Sequence, residues 1–426
     1  MWASVRHVYG TDDPDTDYTC RETSQTGHHR EDGGREAPIR LRVRVLCSSV
    51  GLNNVSDERK TMSEQVSIVG GGIVGATTGV FLNLQGYDTK IYTRELPYED
   101  RRVPSVATNY AAASVKPVLV DEDDIGELTR VSEGFFERLE GATETVRRQD
   151  NFEVYEDGGG EPDYADGLRR YRRLSEYDGP VPVREDVDSS DLSGYVHEVF
   201  FIEMPRYVPI LLRWYRDTGG EVEKREIGRS DVGELDGDVI VNAAGYGSPF
   251  EDEDLVAVRG HLVHVDTGSR VTDASGNGFS YSYYLGDGRF AYAYPRDDAL
   301  VLGGSAQNGT VVGGDWKPVS ENETAEETVD IGGVEVPRHI VEANVDILEG
   351  LGIGIDGYEK TACYGYRPYR RGGVRTEKKE FDGKDLVHCY GHGGAGVTLS
   401  WLSANRVYNL ISGDSGYDYE VVDDLP

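Results

Sequence analysis

Residues Val66–Gly75 read V-S-I-V-G-G-G-I-V-G, and this stretch constrains the fold more tightly than any other in the chain. Val66–Val69 is a short apolar run fit for a buried parallel strand, and Ile73–Leu84 continues as an apolar-rich helix. Gly70, Gly72 and Gly75 between and within them give G-x-G-x-x-G. Gly70 permits the tight turn, Gly72 lets backbone approach a pyrophosphate, and Gly75 lets helix and strand pack closely. Ile73 and Val74 then open the helix, where free N–H groups and the positive dipole end favour a phosphate. A second strand, Thr89–Tyr92, ends beside Arg94 and Glu95, the latter twenty residues after Gly75. An acid at that distance can bond a ribose hydroxyl. Strand, glycine loop, helix, strand and acid in this order predict a dinucleotide-binding domain, and simple turn glycines would not need that order. The motif alone separates FAD from NAD poorly.

The chain has 426 residues, enough for two or three domains. Its 77 acidic residues outnumber 44 basic ones, which argues against nucleic acid or an anionic membrane as partner. Only nine of the basic residues are lysine, and the acids are spread along the chain. Such a surface suits solubility in a very salty cytoplasm, a halophilic trait; a basic partner is the other reading. The four cysteines show no C-x-x-C spacing, so neither a disulfide framework nor a metal site is expected. No apolar run is long enough to span a membrane and no signal peptide is visible, so a cytoplasmic location is expected. Residues 1–61 carry a net charge of −1, against −32 for the remaining 365. They are expected to be disordered, or to lie outside the natural protein if translation starts at Met62, with an interaction arm as the alternative.

Between the ends, the loop Leu96–Ser114 holds Thr108 and the small residues Ala111, Ala112, Ala113 and Ser114. Small side chains there would allow close approach to a flat cofactor, and fit ordinary tight packing equally well. Ile125–Leu139, Tyr207–Thr218 and Ile340–Leu348 read as helices. Val239-Ile-Val-Asn-Ala-Ala-Gly245 is another buried strand ending in small residues, which favours FAD over NAD. From Val256 the pattern alternates through Gly260–Val265, Phe290–Tyr294 and Ala299–Gly303, predicting an antiparallel sheet. Near the C-terminus Val387-His-Cys-Tyr-Gly-His-Gly-Gly-Ala-Gly-Val-Thr398 forms a second glycine loop, with a helix expected over Val397–Ile411. Its N–H groups would stabilise negative charge on the edge of a reduced flavin ring. His392 is left out of the catalytic set, because a histidine among glycines is as often a loop residue satisfied by backbone.

These pieces, in order, resemble the D-amino acid oxidase family, which includes D-aspartate oxidases. To the segments above the resemblance adds Arg259-Gly260, Tyr292-Ala-Tyr-Pro295, Leu302-Gly-Gly304 and Gly365-Tyr-Arg-Pro368, and it covers about residues 64–415. The resemblance implies an α/β fold: a Rossmann-like FAD-binding domain with a parallel sheet, plus an antiparallel-sheet (α+β) substrate domain. Residues 62–115, 195–250 and 375–415 would form the first, discontinuously. Residues 116–194 and 251–374 would form the second, and 416–426 an acidic tail.

The resemblance also implies site roles. Arg367 would grip the substrate α-carboxylate through two parallel hydrogen bonds. Tyr292 would bond the same carboxylate, and the Gly394 carbonyl would receive the amine. Gly393, Gly396 and Thr398 would line the flavin, together with Thr108, Ala112, Ala113, Ser114 and Gly245. Departures from the family pattern include Arg94 and Glu95 at the ribose end and Ala113-Ser114 where a glycine and a large apolar residue are usual. Tyr283 or Tyr284 would stand in for a lid tyrosine, and Arg289 would either meet an acidic substrate or be merely exposed. The expected reaction is FAD-dependent oxidative deamination of D-amino acids, with hydride transfer from Cα to flavin N5 and molecular oxygen as acceptor. Other FAD amine oxidases (D-aspartate-, glycine- or sarcosine-type) and an FAD dehydrogenase using another acceptor are the alternatives, and a homodimer is left open.

Overall fold

The computed structural model describes residues 64–99, 103–159, 161–162, 164–312 and 315–426. The expectation for residues 1–61 lies outside the described residues. The apolar run at Val66 becomes strand Gln65–Val69, which pairs in parallel with Asp88–Thr93 on one side and Val239–Asn242 on the other. Val66 and Ile68 are fully buried, as a strand covered on both faces requires. The six-stranded sheet runs Arg375–Phe381, Lys384–Tyr390, Val239–Asn242, Gln65–Val69, Asp88–Thr93, Glu221–Lys224. All neighbours are parallel except the antiparallel edge strand Arg375–Phe381. Helix Ile73–Leu84 is buried from Ile73 to Leu82, because helices Met204–Asp217 and Ser400–Ser412 pack against it.

The second sheet is largely antiparallel and has ten strands. Its long strand Leu255–Asp266 pairs from Leu255 to Val265 with Lys360–Arg370. On its other edge it pairs with Ala299–Gly303 and Gln307–Val312. The sheet continues through Phe290–Pro295, Phe279–Tyr284, Val146–Tyr155 and Ser193–Ile202. The tyrosines here divide by the strand period of two. Tyr281 and Tyr283 point into a core shared with helix Arg338–Gly350, where Tyr281 donates to Asn344 Oδ1 at 2.7 Å. Tyr284, Tyr292 and Tyr294 line a cavity on the other side. The fold is mixed α/β with one largely parallel and one largely antiparallel layer.

The last helix differs from expectation. It starts at Ser400, because the second glycine loop continues through turns as far as Leu399. The C-terminal residues are acidic but folded: Tyr419–Asp424 forms a short 3-10 helix that buries Val421 and Val422, with the Tyr419 ring 4.7 Å from that of Phe135. Among the described residues no helix is long and apolar enough to cross a membrane.

Candidate active site

A cavity of about 780 Å³ runs between the two sheets, from the first glycine loop to Arg367. The first loop is built as the motif requires. Gly70 takes φ +110°, with its N–H on the Tyr92 carbonyl at 2.8 Å. Gly75 lies against the same turn; a Cβ there would come 1.9 Å from the Gly70 carbonyl oxygen, so only glycine lets helix and strand meet. Gly75 itself does not line the cavity, whereas Gly70, Gly72, Ile73 and Val74 do. The N–H groups of Gly71 and Gly72 have no acceptor among the described residues. Thr108 holds the helix start in place, accepting from Ile73 N–H at 3.0 Å.

Arg94 and Glu95 line the same end. Arg94 is half exposed and lies 3.5 Å from Glu226. Glu95 Oε2 is buried without a hydrogen-bond partner among the described residues. A buried carboxylate oxygen wants a donor, and a ribose hydroxyl would be one. Free loop N–H groups at one point and an open carboxylate a strand-end away fit a dinucleotide such as FAD.

The second loop closes the middle of the cavity. Gly393 takes φ +55° and donates to the Pro368 carbonyl at 2.9 Å; a Cβ there would sit 1.8 Å from the Leu119 carbonyl oxygen. Gly394 is exposed between the buried Gly393 and Ala395, and its carbonyl receives no hydrogen bond among the described residues. Thr398 donates to the Lys116 carbonyl at 2.9 Å, tying this loop to the segment after Ser114. Ala112, Ala113, Ser114, Gly245 and Gly396 also line the cavity. Ala113 adopts φ +68°, a conformation in which glycine is more at ease.

The opposite wall is the face of the antiparallel sheet. Arg367 donates through Nη1 to the Ser305 carbonyl at 3.1 Å, and its Nη2 lies 3.5 Å from the Tyr292 hydroxyl. Both side chains lie flat over glycines. A Cβ on Gly260 would come 2.2 Å from Arg367 Nη1, and one on Gly303 would come 2.1 Å from Tyr292 Cζ. Burial holds the Tyr292 hydroxyl above its ordinary pKa, with Arg367 pulling the other way. Arg367 and Tyr292 thus form a donor pair in the cavity, suited to a carboxylate.

Sequence reasoning cited Arg259-Gly260 and Leu302-Gly-Gly304 only as points of resemblance; their physical role is to clear space for these two side chains. It missed Lys116 and Glu153, which line the cavity and pair at 2.5 Å. Burial opposes the charge on Lys116, but Glu153 outweighs it and keeps the ammonium above its ordinary pKa. The only sequence signal was a lysine in a lysine-poor chain. Of the two candidate lid tyrosines, Tyr284 lines the cavity and Tyr283 is core. Arg289 reaches the cavity but is committed elsewhere, to Asp287 Oδ2 through Nε at 2.8 Å and to Glu326 at 3.2 Å. His392 is buried, with Nε2 2.8 Å from Ser403 Oγ, and burial lowers its pKa to about 4. Its partner is therefore a side chain rather than backbone, and the ring is neutral.

The family model DAO, FAD dependent oxidoreductase, matches residues 65–410. The chain belongs to that family. This FAD-dependent oxidoreductase is 28% identical over 380 residues to a D-amino-acid oxidase of Streptomyces coelicolor, covering 84% of this chain and 99% of the relative. A D-amino-acid oxidase of Rubrobacter xylanophilus is also 28% identical, over 347 residues, 80% of this chain and 94% of that one. Among solved structures, the glycine oxidase of Geobacillus kaustophilus superposes with a TM-score of 0.58 at 16% identity, covering 84% of this chain and 97% of its own. The flavoprotein cofactor FAD and the amino acid oxidase class follow from the family and its members.

Proposed function

We propose that this flavoenzyme oxidises D-amino acids to 2-oxo acids, releasing ammonia and hydrogen peroxide. The observation that carries the reading is the Arg367–Tyr292 pair, set over Gly260 and Gly303 in the cavity that also receives both glycine loops. Arg367 and Tyr292 hold the α-carboxylate, and the guanidinium geometry matches its two oxygens. The Gly394 carbonyl accepts a hydrogen bond from the α-amine, which must be neutral for the Cα–H bond to give up its electrons. Two anchored groups and a side chain held in the cavity fix the fourth substituent, the α-hydrogen, and so decide which enantiomer reacts. When bound, FAD supplies the acceptor for the hydride that leaves Cα and passes the electrons to oxygen.

The protein residues complete the environment. Gly70, Gly72, Ile73 and Val74 would hold the diphosphate, Glu95 a ribose hydroxyl, and Gly393, Gly396 and Thr398 the ring. Positioning and exclusion of water are the main contributions of the site, and no side-chain base is needed. That fits a cavity whose histidines are held neutral: His392 by burial, and His197 by burial and Lys116, with a pKa lowered to about 3. The ion pairing of Arg289 speaks against an acidic substrate as the preferred one.

The test is anaerobic mixing of the purified holoprotein, in high salt, with D- and L-amino acids while the flavin absorbance is followed. D-amino acids are expected to bleach the flavin, with colour and peroxide returning on admission of air. Bleaching by L-amino acids alone, or by neither enantiomer, would overturn the reading.

A further inference from the structure

The sheet wall of the cavity carries a polar cluster that carboxylate binding leaves unused. Strand register sets four side chains in one row across neighbouring strands. Tyr292 is opposite Ser282, Ser282 opposite Glu153, and Glu153 opposite Tyr195. Neighbouring strands lie ~4.8 Å apart, so Glu153 stands ~10 Å along the wall from Tyr292. A long substrate side chain, starting from a carboxylate at Arg367 and Tyr292, would run along this row.

Glu153 lines the cavity and is only 5% exposed. Its Oε1 accepts from Lys116 Nζ at 2.5 Å and from Asn151 Nδ2 at 2.8 Å. Its Oε2 has no hydrogen-bond partner among the described residues. Lys116 is already engaged: besides Glu153 it donates to Ser282 Oγ at 2.6 Å, and its Nζ lies 5.9 Å from the centre of the Tyr294 ring. Tyr155, Tyr164, Tyr195 and Tyr284 line the same cavity, with Tyr155 and Tyr284 stacked at 4.6 Å. Register sets Tyr195 opposite Glu153 and Tyr284 opposite Tyr155, two residues along the same strand. Burial and then the Glu153 charge hold the hydroxyls of all four above their ordinary range. Asp157 adds a second acid to the lining, while Arg289 is neutralised by Asp287 and Glu326.

This inference rests on the proposed function. We propose that Glu153 is a specificity residue that selects D-amino acids whose side chains end in a cation, an ammonium or a guanidinium. Glu153 Oε2 accepts the charged hydrogen bond, and the tyrosine rings supply faces on which a cation is attracted to the π-electrons. Lys116 fixes the carboxylate in place. An acidic side chain in the same position would meet Glu153 and the ring faces, and no uncommitted cation among the described residues at that end.

The test compares D-lysine with D-norleucine and D-glutamate in flavin reduction by the holoprotein. It also compares 6-aminohexanoate with hexanoate in calorimetric binding without turnover. D-lysine is expected to exceed D-norleucine in kcat/KM by about tenfold or more, and 6-aminohexanoate to bind tighter than hexanoate by a similar factor, as befits a hydrogen bond to a charged group. Glu153→Gln should bring both ratios toward one. Because that change strands Lys116, the neutral pair Lys116→Met with Glu153→Gln provides a second variant with the same expected loss. Ratios at or below one in the parent protein, or ratios that persist in a folded variant, overturn the assignment of Glu153. A holoprotein bleached by D-norleucine but no better by D-lysine sinks this inference alone. One bleached by no D-amino acid sinks the proposed function with it.

Discussion

The two walls of the cavity are made of different material. One is backbone: the loops at Gly70–Gly75 and Tyr390–Thr398 offer N–H groups, carbonyls and little else. The other is a sheet face on which strand register brings Tyr292, Ser282 and Glu153 into line, with Arg367 reaching Tyr292 from a strand further along. Backbone donors sit in fixed places and lose no rotamer freedom on binding, which suits a group that is the same in every turnover. Side chains can be exchanged one at a time without rebuilding the fold, which suits the part that selects a substrate. If this division is right, changes on the backbone wall should cost the cofactor, and changes on the sheet wall should cost the substrate.

The largest effect is expected at Gly72. Its backbone is ordinary, and a Cβ there would meet only Thr108 Oγ1, at 3.3 Å. Gly72→Val is therefore expected to fold while pushing its methyls into the space a diphosphate needs. FAD affinity should fall by at least about a hundredfold, read from titration of apoprotein by flavin fluorescence, with the circular dichroism spectrum retained. A yellow, fully loaded variant would break the division between the walls.

Next is Arg367→Ala. Removing one partner of a buried charged pair costs roughly 2–5 kcal/mol, so kcat/KM for a D-amino acid should fall by about thirty- to several-thousandfold, mostly through KM. FAD should stay bound. Arg367→Lys should recover part of the loss, because a lysine supplies the charge but not the two-pronged geometry. A change in KM below threefold would remove Arg367 from the site.

Tyr292→Phe is a smaller cut in the same wall. One hydrogen bond to a charged group is worth roughly 1.5–3 kcal/mol, so a loss of about ten- to a hundredfold in kcat/KM is expected. The hydroxyl is held above its ordinary pKa, and it donates only while protonated. The parent protein should therefore show no loss of substrate affinity from Tyr292 below about pH 10, the ordinary tyrosine value. An alkaline limb that begins well below that pH and vanishes in Tyr292→Phe would contradict the burial of this hydroxyl.

The two walls were unequally legible in the sequence, for the same physical reason. A backbone wall demands glycine, and glycine leaves a mark: Gly70, Gly72 and Gly75 could be read off from the turn and the approach they permit, and the second loop stood out as a glycine run even though the roles of Gly393 and Gly394 came from the family resemblance. The sheet wall leaves no comparable mark. Glu153, Ser282 and Tyr195 lie far apart in the chain and meet only through register, which a single strand's alternation does not specify. Gly260 and Gly303 were visible as letters, yet the aromatic and guanidinium planes they accommodate lie on other strands. Even Arg367 and Tyr292 were found through a family pattern rather than through spacing. What a glycine permits locally is readable; what it makes room for is not.

The smallest effect tests the seam between the walls. Ala113 holds φ +68° where a glycine would be relaxed, and an L-residue in that region costs about 1 kcal/mol. The structure holds it there: its carbonyl accepts from Ile202 N–H at 2.9 Å, and Ser114 bridges to Phe201, so this segment is pinned to the sheet wall while lining the cavity. Ala113→Gly removes the strain but gives the unfolded chain more freedom, which takes back about 0.5 kcal/mol or more. The net gain should be ~0.5 kcal/mol, a rise in Tm of about a degree for a chain of this size, with FAD content unchanged. Ala113 is 8% exposed, so its methyl also packs. A fall in Tm of several degrees would mean that this contact outweighs the strain, and that the seam is part of the side-chain wall rather than the backbone one.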